Sequence, residues 1–244
     1  MQLSLTEKHR PETLSKVVGQ SFAVMQLTDF ADMPFPQAFL FAGKSGVGKT
    51  SAALALANDL GVNREWNLIE IDSGEMDAEA VEKALKTMRG IGVNDGWKLI
   101  CCNEADMMST KARQLWLSAL ERIQSGTYGK TVIVFTTNNP EKFDDRFRDR
   151  CEVIEFESDA KTLHVDAEAL LADLWWQEGL QGVPPRLDSI RGLVVDGAIS
   201  FRRLVRFVET ASRKPIKAED LAAARLAKIA AAKGTTRQVE AVIL

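Results

Sequence analysis

The chain has 244 residues, 45% of them apolar and 27% charged, which is enough to bury a sizeable core and to divide into more than one domain. With 34 acidic and 31 basic side chains the net charge is −3 and the pI about 5.6, which argues against a stand-alone electrostatic DNA binder but leaves room for a local basic patch. Disorder, collagen and coiled coil are excluded by the apolar content, the 16 Gly and 7 Pro, and the lack of a sustained heptad.

Residues 1–8 lack the apolar stretch of a signal peptide, and no apolar run approaches the roughly 18 residues that span a bilayer, so a cytoplasmic location is expected. The first buried strand is expected at 38–42. A helix at 49–60 follows, then a strand at 68–71 and a helix at 77–89 with Asp77 as its N-cap. Another apolar run, 99–102, contains Cys101 and Cys102; these adjacent thiols can hardly bridge to each other, and with Cys151 they read as buried and free. A helix at 109–124, capped by Ser109 or Thr110, precedes a strand at 132–135. The alternating run 152–156 reads as a half-buried or edge strand. Strands alternating with helices predict a parallel α/β sheet.

After Phe156 the strand signal fades, and helical spacing is read at 161–179, 186–194 and 199–213, broken by Gly179 and by Gly182-Val183-Pro184-Pro185. This predicts a small helical second domain, with Trp175 and Trp176 in its core rather than stacking on bases. An Ala-rich helix is expected at 220–233, with Leu221, Leu226, Ile229 and Val239 as an apolar docking face. There is no internal repeat, and His9 and His164 have no metal-site spacing.

Gly43-Lys44-Ser45-Gly46-Val47-Gly48-Lys49-Thr50 fits G-x-x-x-x-G-K-[ST], directly after a strand and at the start of a helix. Glycines let the backbone wrap phosphates, the helix N-terminus adds its amide dipoles, Lys49 reaches the β and γ phosphates and Thr50 offers a hydroxyl to Mg²⁺. Val47 and Ser51 complete the loop. A second acidic site is expected after the strand at 99–102, where Asn103-Glu104-Ala105-Asp106 follows. Glu104 is in place to polarise the attacking water. Asn103 stands where a metal-holding carboxylate is expected, and an amide carries no charge. Either hydrolysis is slow, or Thr50 and the phosphates hold Mg²⁺ with help from Glu104 or Asp106.

Together these pieces resemble AAA+ ATPases of the sliding-clamp loader group, in particular the small subunits of replication factor C. Glu7-Lys8-His9-Arg10-Pro11-Glu12-Thr13-Leu14-Ser15-Lys16-Val17-Val18-Gly19-Gln20 is similar to the family's E-K-Y-R-P-x-T-L-x-x-V-V-G-Q, with His9 in place of Tyr. The resemblance implies that Arg10, Pro11, Val17 and Val18 surround the adenine. Asn103 to Asp106 resembles the D-E-A-D box. Thr136-Thr137-Asn138-Asn139 resembles sensor 1, making Asn138 the γ-phosphate contact; Asp149-Arg150-Cys151 resembles S-R-C, making Arg150 the arginine finger; Ser200-Phe201-Arg202-Arg203 resembles G-D-x-R-R, making Arg202 sensor 2. Within Asp144 to Arg150 the alternating charges read otherwise as a solvated, salt-bridged turn.

The resemblance covers about residues 5–212. It implies an AAA+ P-loop NTPase domain with a five-stranded parallel sheet at 1–158, an all-α lid at 159–213 and a helical tail at 214–244. It further implies ATP and Mg as cofactors, a ring or spiral of like or unlike AAA+ subunits, a sliding clamp and primed DNA as partners, and no membrane. Leu117-Ser118 stands where the family has a basic pair on a DNA-facing helix, and 214–244 is too short for the family's collar domain. Two other readings follow from these departures: a nucleotide-switched scaffold without useful hydrolysis, and an AAA+ remodeller of another phage or mobile-element complex.

Overall fold

A computed structural model describes residues 4–89, 96–123 and 125–213. The described chain runs α1 (Leu5–Lys8), α2 (Ser21–Asp32), β1 (Gln37–Ala42), α3 (Lys49–Asp59), β2 (Leu68–Ile71), α4 (Ala78–Arg89), β3 (Lys98–Cys102), α5 (Thr110–Ile123), β4 (Thr131–Thr137), α6 (Asp145–Arg148) and β5 (Glu152–Glu155). It continues with α7 (His164–Gln177), β6 (Val194–Val195), β7 (Ala198–Ile199) and α8 (Phe201–Arg213). The helix expected at 220–233 and the tail at 214–244 lie outside the described residues.

β1 to β5 form one parallel sheet in the order β2-β3-β4-β1-β5, with β5 at an edge as its alternation predicted. The inner strands are apolar along their middles, at 38–42, 99–102 and 132–135, because both faces are covered. Alternate residues Leu40, Ile100, Cys102, Ile133 and Phe135 pack under α4 and α5, while Phe39, Phe41, Leu99, Cys101, Val132 and Val134 pack under α2 and α3. The neighbouring thiols Cys101 and Cys102 thus point to opposite faces, both free, and burial pushes each well above the ordinary thiol range. Burial likewise pushes Cys151 up to about 12. Trp116 of α5 is fully buried and meets Phe135 edge-on at 5.3 Å.

Local chemistry sets the helix starts. The Asp77 carboxylate accepts from Ala80 N at 2.9 Å and the Ser109 hydroxyl from Ala112 N at 3.1 Å, capping α4 and α5. Asp144 caps α6 through Phe147 N, and Arg148 pairs with Asp145, so the charged run is a short capped helix with Phe147 buried beneath it.

Beyond Phe156 a separate apolar cluster gathers Leu163, Leu171, Leu174, Trp175, Leu187, Ile190, Ile199, Leu204 and Val208. Two expectations are corrected here. No α-helix forms over 186–194. Leu187–Ser189 is a single 3-10 turn, and Val194–Val195 pairs with Ala198–Ile199 as a hairpin, so the lid is helical apart from one small ribbon. Asp196 (φ 49°) and Gly197 (φ 76°) supply the two left-handed residues such a tight turn demands, a signal present in the sequence as Asp-Gly. The tryptophans also separate. Trp175 is buried and its indole N–H donates to Gly182 O at 3.1 Å, whereas Trp176 is 57% exposed.

The N-terminal segment is a strap between the two parts. Leu5 belongs to the lid's apolar cluster, and Lys8 (2.9 Å) and His9 both bond the Glu178 carboxylate at the end of α7. Farther on, the buried Gln20 side chain donates to Glu157 O (3.0 Å) and Val47 O (3.3 Å) and accepts from Glu157 N (2.8 Å). One amide thereby ties the strap, the phosphate loop and the segment leading into the lid.

Candidate nucleotide-binding site

The parallel sheet puts the carboxyl ends of β1, β3 and β4 on one rim, where ligands bind in open α/β sheets. Ala42 is in register with Thr137, Cys102 with Phe135, and Ile71 with Cys102. The residues that follow these strands therefore converge on a cavity of about 610 Å³ between the sheet rim, the strap and the lid. Arg10, Pro11, Val17, Val18, Ser45, Gly46, Val47, Gly48, Lys49, Thr50, Ser51, Asn103, Glu104, Asn138 and Arg202 all line it.

The loop from Gly43 to Gly48 opens onto the N-terminus of α3, whose first amides have no partner within the helix. Gly46 has φ 84°, and a Cβ there would stand 2.2 Å from Ser200 Oγ, so only glycine lets the lid approach the loop. Arg202 N donates to Gly46 O at 3.2 Å, and its guanidinium lies 3.5 Å from Ser45 Oγ. α8 thus delivers Arg202 over the loop from the opposite side to the sheet.

Lys49 is buried, and its ammonium donates to Gly43 O (2.6 Å), Lys44 O (2.8 Å) and Asn138 Oδ1 (2.8 Å). Burial, aided by the Arg202 charge, brings it down to about 8, against the opposing pull of Asp106 and Glu104. Thr50 Oγ1 donates to Asn103 Oδ1 at 2.8 Å, so hydroxyl and amide oxygen sit side by side. Asn103 Nδ2 faces the other way and donates to Asp72 Oδ1 at 3.0 Å. These donors are hydroxyl, amide and carboxylate oxygens, the chemistry that suits a hard cation such as Mg²⁺. Glu104 takes a left-handed φ of 50° and its amide donates to Thr136 Oγ1 at 3.1 Å, which turns the chain sharply out of β3 at the cavity.

Two residues singled out in the sequence lie off the cavity. Asp106 is not available to a metal. Burial alone would raise its carboxyl, but hydrogen bonds from Asn139 Nδ2 (2.8 Å), Thr137 Oγ1 (2.9 Å) and Lys142 Nζ (3.3 Å) use it structurally and hold it below the usual carboxylate value. Arg150 lies away from the cavity of its own chain, its guanidinium donating to Glu121 Oε1 and Arg146 O, both at 2.6 Å. Other lining residues escaped sequence reasoning. Thr6 and His9 come from the strap, Leu170, Leu174, Phe201 and Val205 from the lid, and Glu70 and Asp72 from β2 and its end. The lid residues carry only a helical apolar period, which marks a core-facing side without saying what lies opposite.

A strand, phosphate loop and helix on this sheet, with a helical lid closing the rim, define a P-loop ATPase fold of the AAA+ class. Residues 39–158 match the family model described as ATPase family associated with various cellular activities (AAA). The fold is shared with the Thermotoga maritima RuvB Holliday junction branch migration motor, at TM-score 0.65 and 17% identity over 82% of this chain and 64% of that one.

Curated relatives named replication factor C small subunit include one from Methanococcus maripaludis, 32% identical over 87% of this chain and 65% of that protein. Another, from Thermofilum pendens, is 33% identical over 75% of this chain and 56% of its own length. Residues 39–158, about half of the chain, thus carry an AAA ATPase domain, and over a longer stretch the chain is similar in sequence to replication factor C small subunits. It spans between about half and two thirds of the length of the curated relatives it matches.

Proposed function

We propose that the chain binds and hydrolyses ATP as a subunit of a clamp-loader-like assembly, coupling the nucleotide to engagement of DNA or a sliding clamp in replication. The observation that carries this reading is the convergence of Lys49, Thr50, Asn103, Asn138 and Arg202 on one cavity beneath the lid. The names of the clamp-loader relatives support the choice of assembly.

Roles follow from placement. The Lys49 ammonium exchanges its loop carbonyls for phosphate oxygens, and Asn138, already bonded to it, orients the γ-phosphate. Arg10, Pro11, Val17 and Val18 form the wall for the base. Glu104 polarises the attacking water, and Arg202 reads the γ-phosphate from the lid. Thr50 Oγ1 and Asn103 Oδ1 would help to hold a magnesium ion, which would supply neutralising charge for the transferred phosphoryl group. Arg150, remote from its own site, serves as an arginine finger in a neighbouring subunit's site. Residues 1–158 then act as the ATPase domain and 159–213 as the lid.

The test is steady-state ATP turnover with and without primed DNA, with Lys49→Ala as the blank. DNA-stimulated turnover that Arg150→Ala abolishes is expected. ATP binding without turnover above the blank would replace the motor with a nucleotide-switched scaffold, the reading that the uncharged Asn103 favours.

A further inference from the structure

We propose that Asp72 supplies the negative charge at the cation position, acting from the end of β2 in place of the carboxylate that Asn103 lacks. The proposal rests on the reading of the cavity as an ATP and Mg²⁺ site. β2 and β3 pair with Ile71 opposite Cys102, and Asn103 N donates to Ile71 O at 2.8 Å, so the residues leaving the two strands, Asp72 and Asn103, emerge side by side. Their side chains are joined by the 3.0 Å bond from Asn103 Nδ2 to Asp72 Oδ1.

That bond orients the amide. With the nitrogen turned to Asp72, the oxygen is left to Thr50 Oγ1 and the cavity. Asn103 therefore presents a neutral oxygen to the cation, with a full charge directly behind it. Of the other acidic neighbours, Asp106 holds Thr137, Asn139 and Lys142, Glu104 is assigned to the water, and Glu70, which also lines the cavity, stands two residues back in β2, whereas Asp72 alone is bonded to Asn103. Among the described residues no group of three or more His, Cys, Asp or Glu could hold a metal by itself. Mg²⁺ is commonly held by one or two carboxylates, several waters and the nucleotide's own phosphates, so one carboxylate a side chain farther off can act through a water.

The pair also explains itself as a unit. An Asp at 103 would face the Asp72 carboxylate at hydrogen-bond distance, and like charges that close resist joint ionisation. One carboxylate and one amide avoid this, and the charge can stand on either strand.

The experiment uses the full chain, ADP as nucleotide, Mg²⁺ or EDTA in the buffer, and Mn²⁺ as the paramagnetic probe. Asp72→Asn keeps an oxygen that accepts from Asn103 Nδ2 and removes only the charge. Expected is a loss of about tenfold or more in Mn²⁺ affinity of the ADP complex by electron paramagnetic resonance, in the range seen when groups behind metal ligands are removed. In EDTA the same variant binds ADP more tightly, because a like charge has left the phosphate site. The exchanged pair Asp72→Asn with Asn103→Asp recovers the metal response. A metal response in Asp72→Asn equal to that of the parent chain overturns the proposal, and so does a loss that the exchanged pair fails to recover. If the parent chain binds no ADP in either buffer, the nucleotide reading itself falls.

Discussion

Lys49 has three hydrogen bonds to the protein and a proton held less firmly than a solvated lysine holds its own. Burial favours its neutral form and brings it down to about 8, whereas triphosphate favours the charged form. Binding therefore restores the proton once pH exceeds about 8, and affinity falls with rising pH. Linkage gives a loss of about tenfold in ATP affinity between pH 7 and pH 9, with proton uptake on binding at the upper end. Calorimetry in buffers of different ionisation heat checks this, and Lys49→Arg should flatten the profile. A flat profile in the parent chain would mean that Lys49 does not meet the phosphates.

The loop and its lysine were legible in the sequence because backbone wrapping needs glycines at fixed spacing, Asn103 and Glu104 because they come next after an apolar run, and Asn138 through the resemblance of Thr136-Thr137-Asn138-Asn139 to sensor 1. Asp72 was not legible. It stands 31 positions from Asn103, and only the order of strands in the sheet makes the two neighbours. Asp106 failed as a metal candidate for a related reason, since its partners Thr137, Asn139 and Lys142 arrive from β4 and the turn after it.

Among the elements, α5 shows how much of the fold rests on packing that periodicity does register. Trp116 is fully buried against Phe135, and among the described residues its indole nitrogen has no hydrogen-bond partner. Trp116→Ala should cost about 3–5 kcal/mol, the range for emptying an aromatic site in a core. Trp116→Phe should cost much less, because the ring edge is retained and the N–H it deletes makes no bond. Urea denaturation at constant slope measures both, and equal losses would show that the nitrogen has a partner after all. The inner strands β1, β3 and β4 read clearly because burial on both faces makes the middle of each an apolar run, and the edge strand β5 because it alternates. The lid hairpin was hidden, since two-residue strands are too short for alternation and Asp196-Gly197 was the sole cue. Trp176 was misread because neighbours on a helix point about 100° apart, so Trp175 inside leaves Trp176 outside.

For the whole molecule the decisive question is whether sites are shared between chains. Arg150 is remote from its own cavity, and its ion pair with Glu121 must open for it to reach another. A mixture of Arg150→Ala and Lys49→Ala chains should therefore regain turnover that neither shows alone, because an intact finger can meet an intact phosphate loop. Turnover in the mixture no higher than the sum of the two would confine each site to one chain.

The strap has a consequence for how the molecule comes into being. Leu5 completes the lid's apolar cluster, and Lys8 meets Glu178, a partner 170 positions away. Contacts at such separation close a very long loop and form late. On the ribosome residues 5–9 emerge long before the helices they join, so the sheet can assemble early while the lid waits for α7 and α8. The strap and the lid are then joined only after the sheet between them has been made, and the nucleotide cavity, bounded by strap, sheet and lid together, takes shape later than the sheet that supports it.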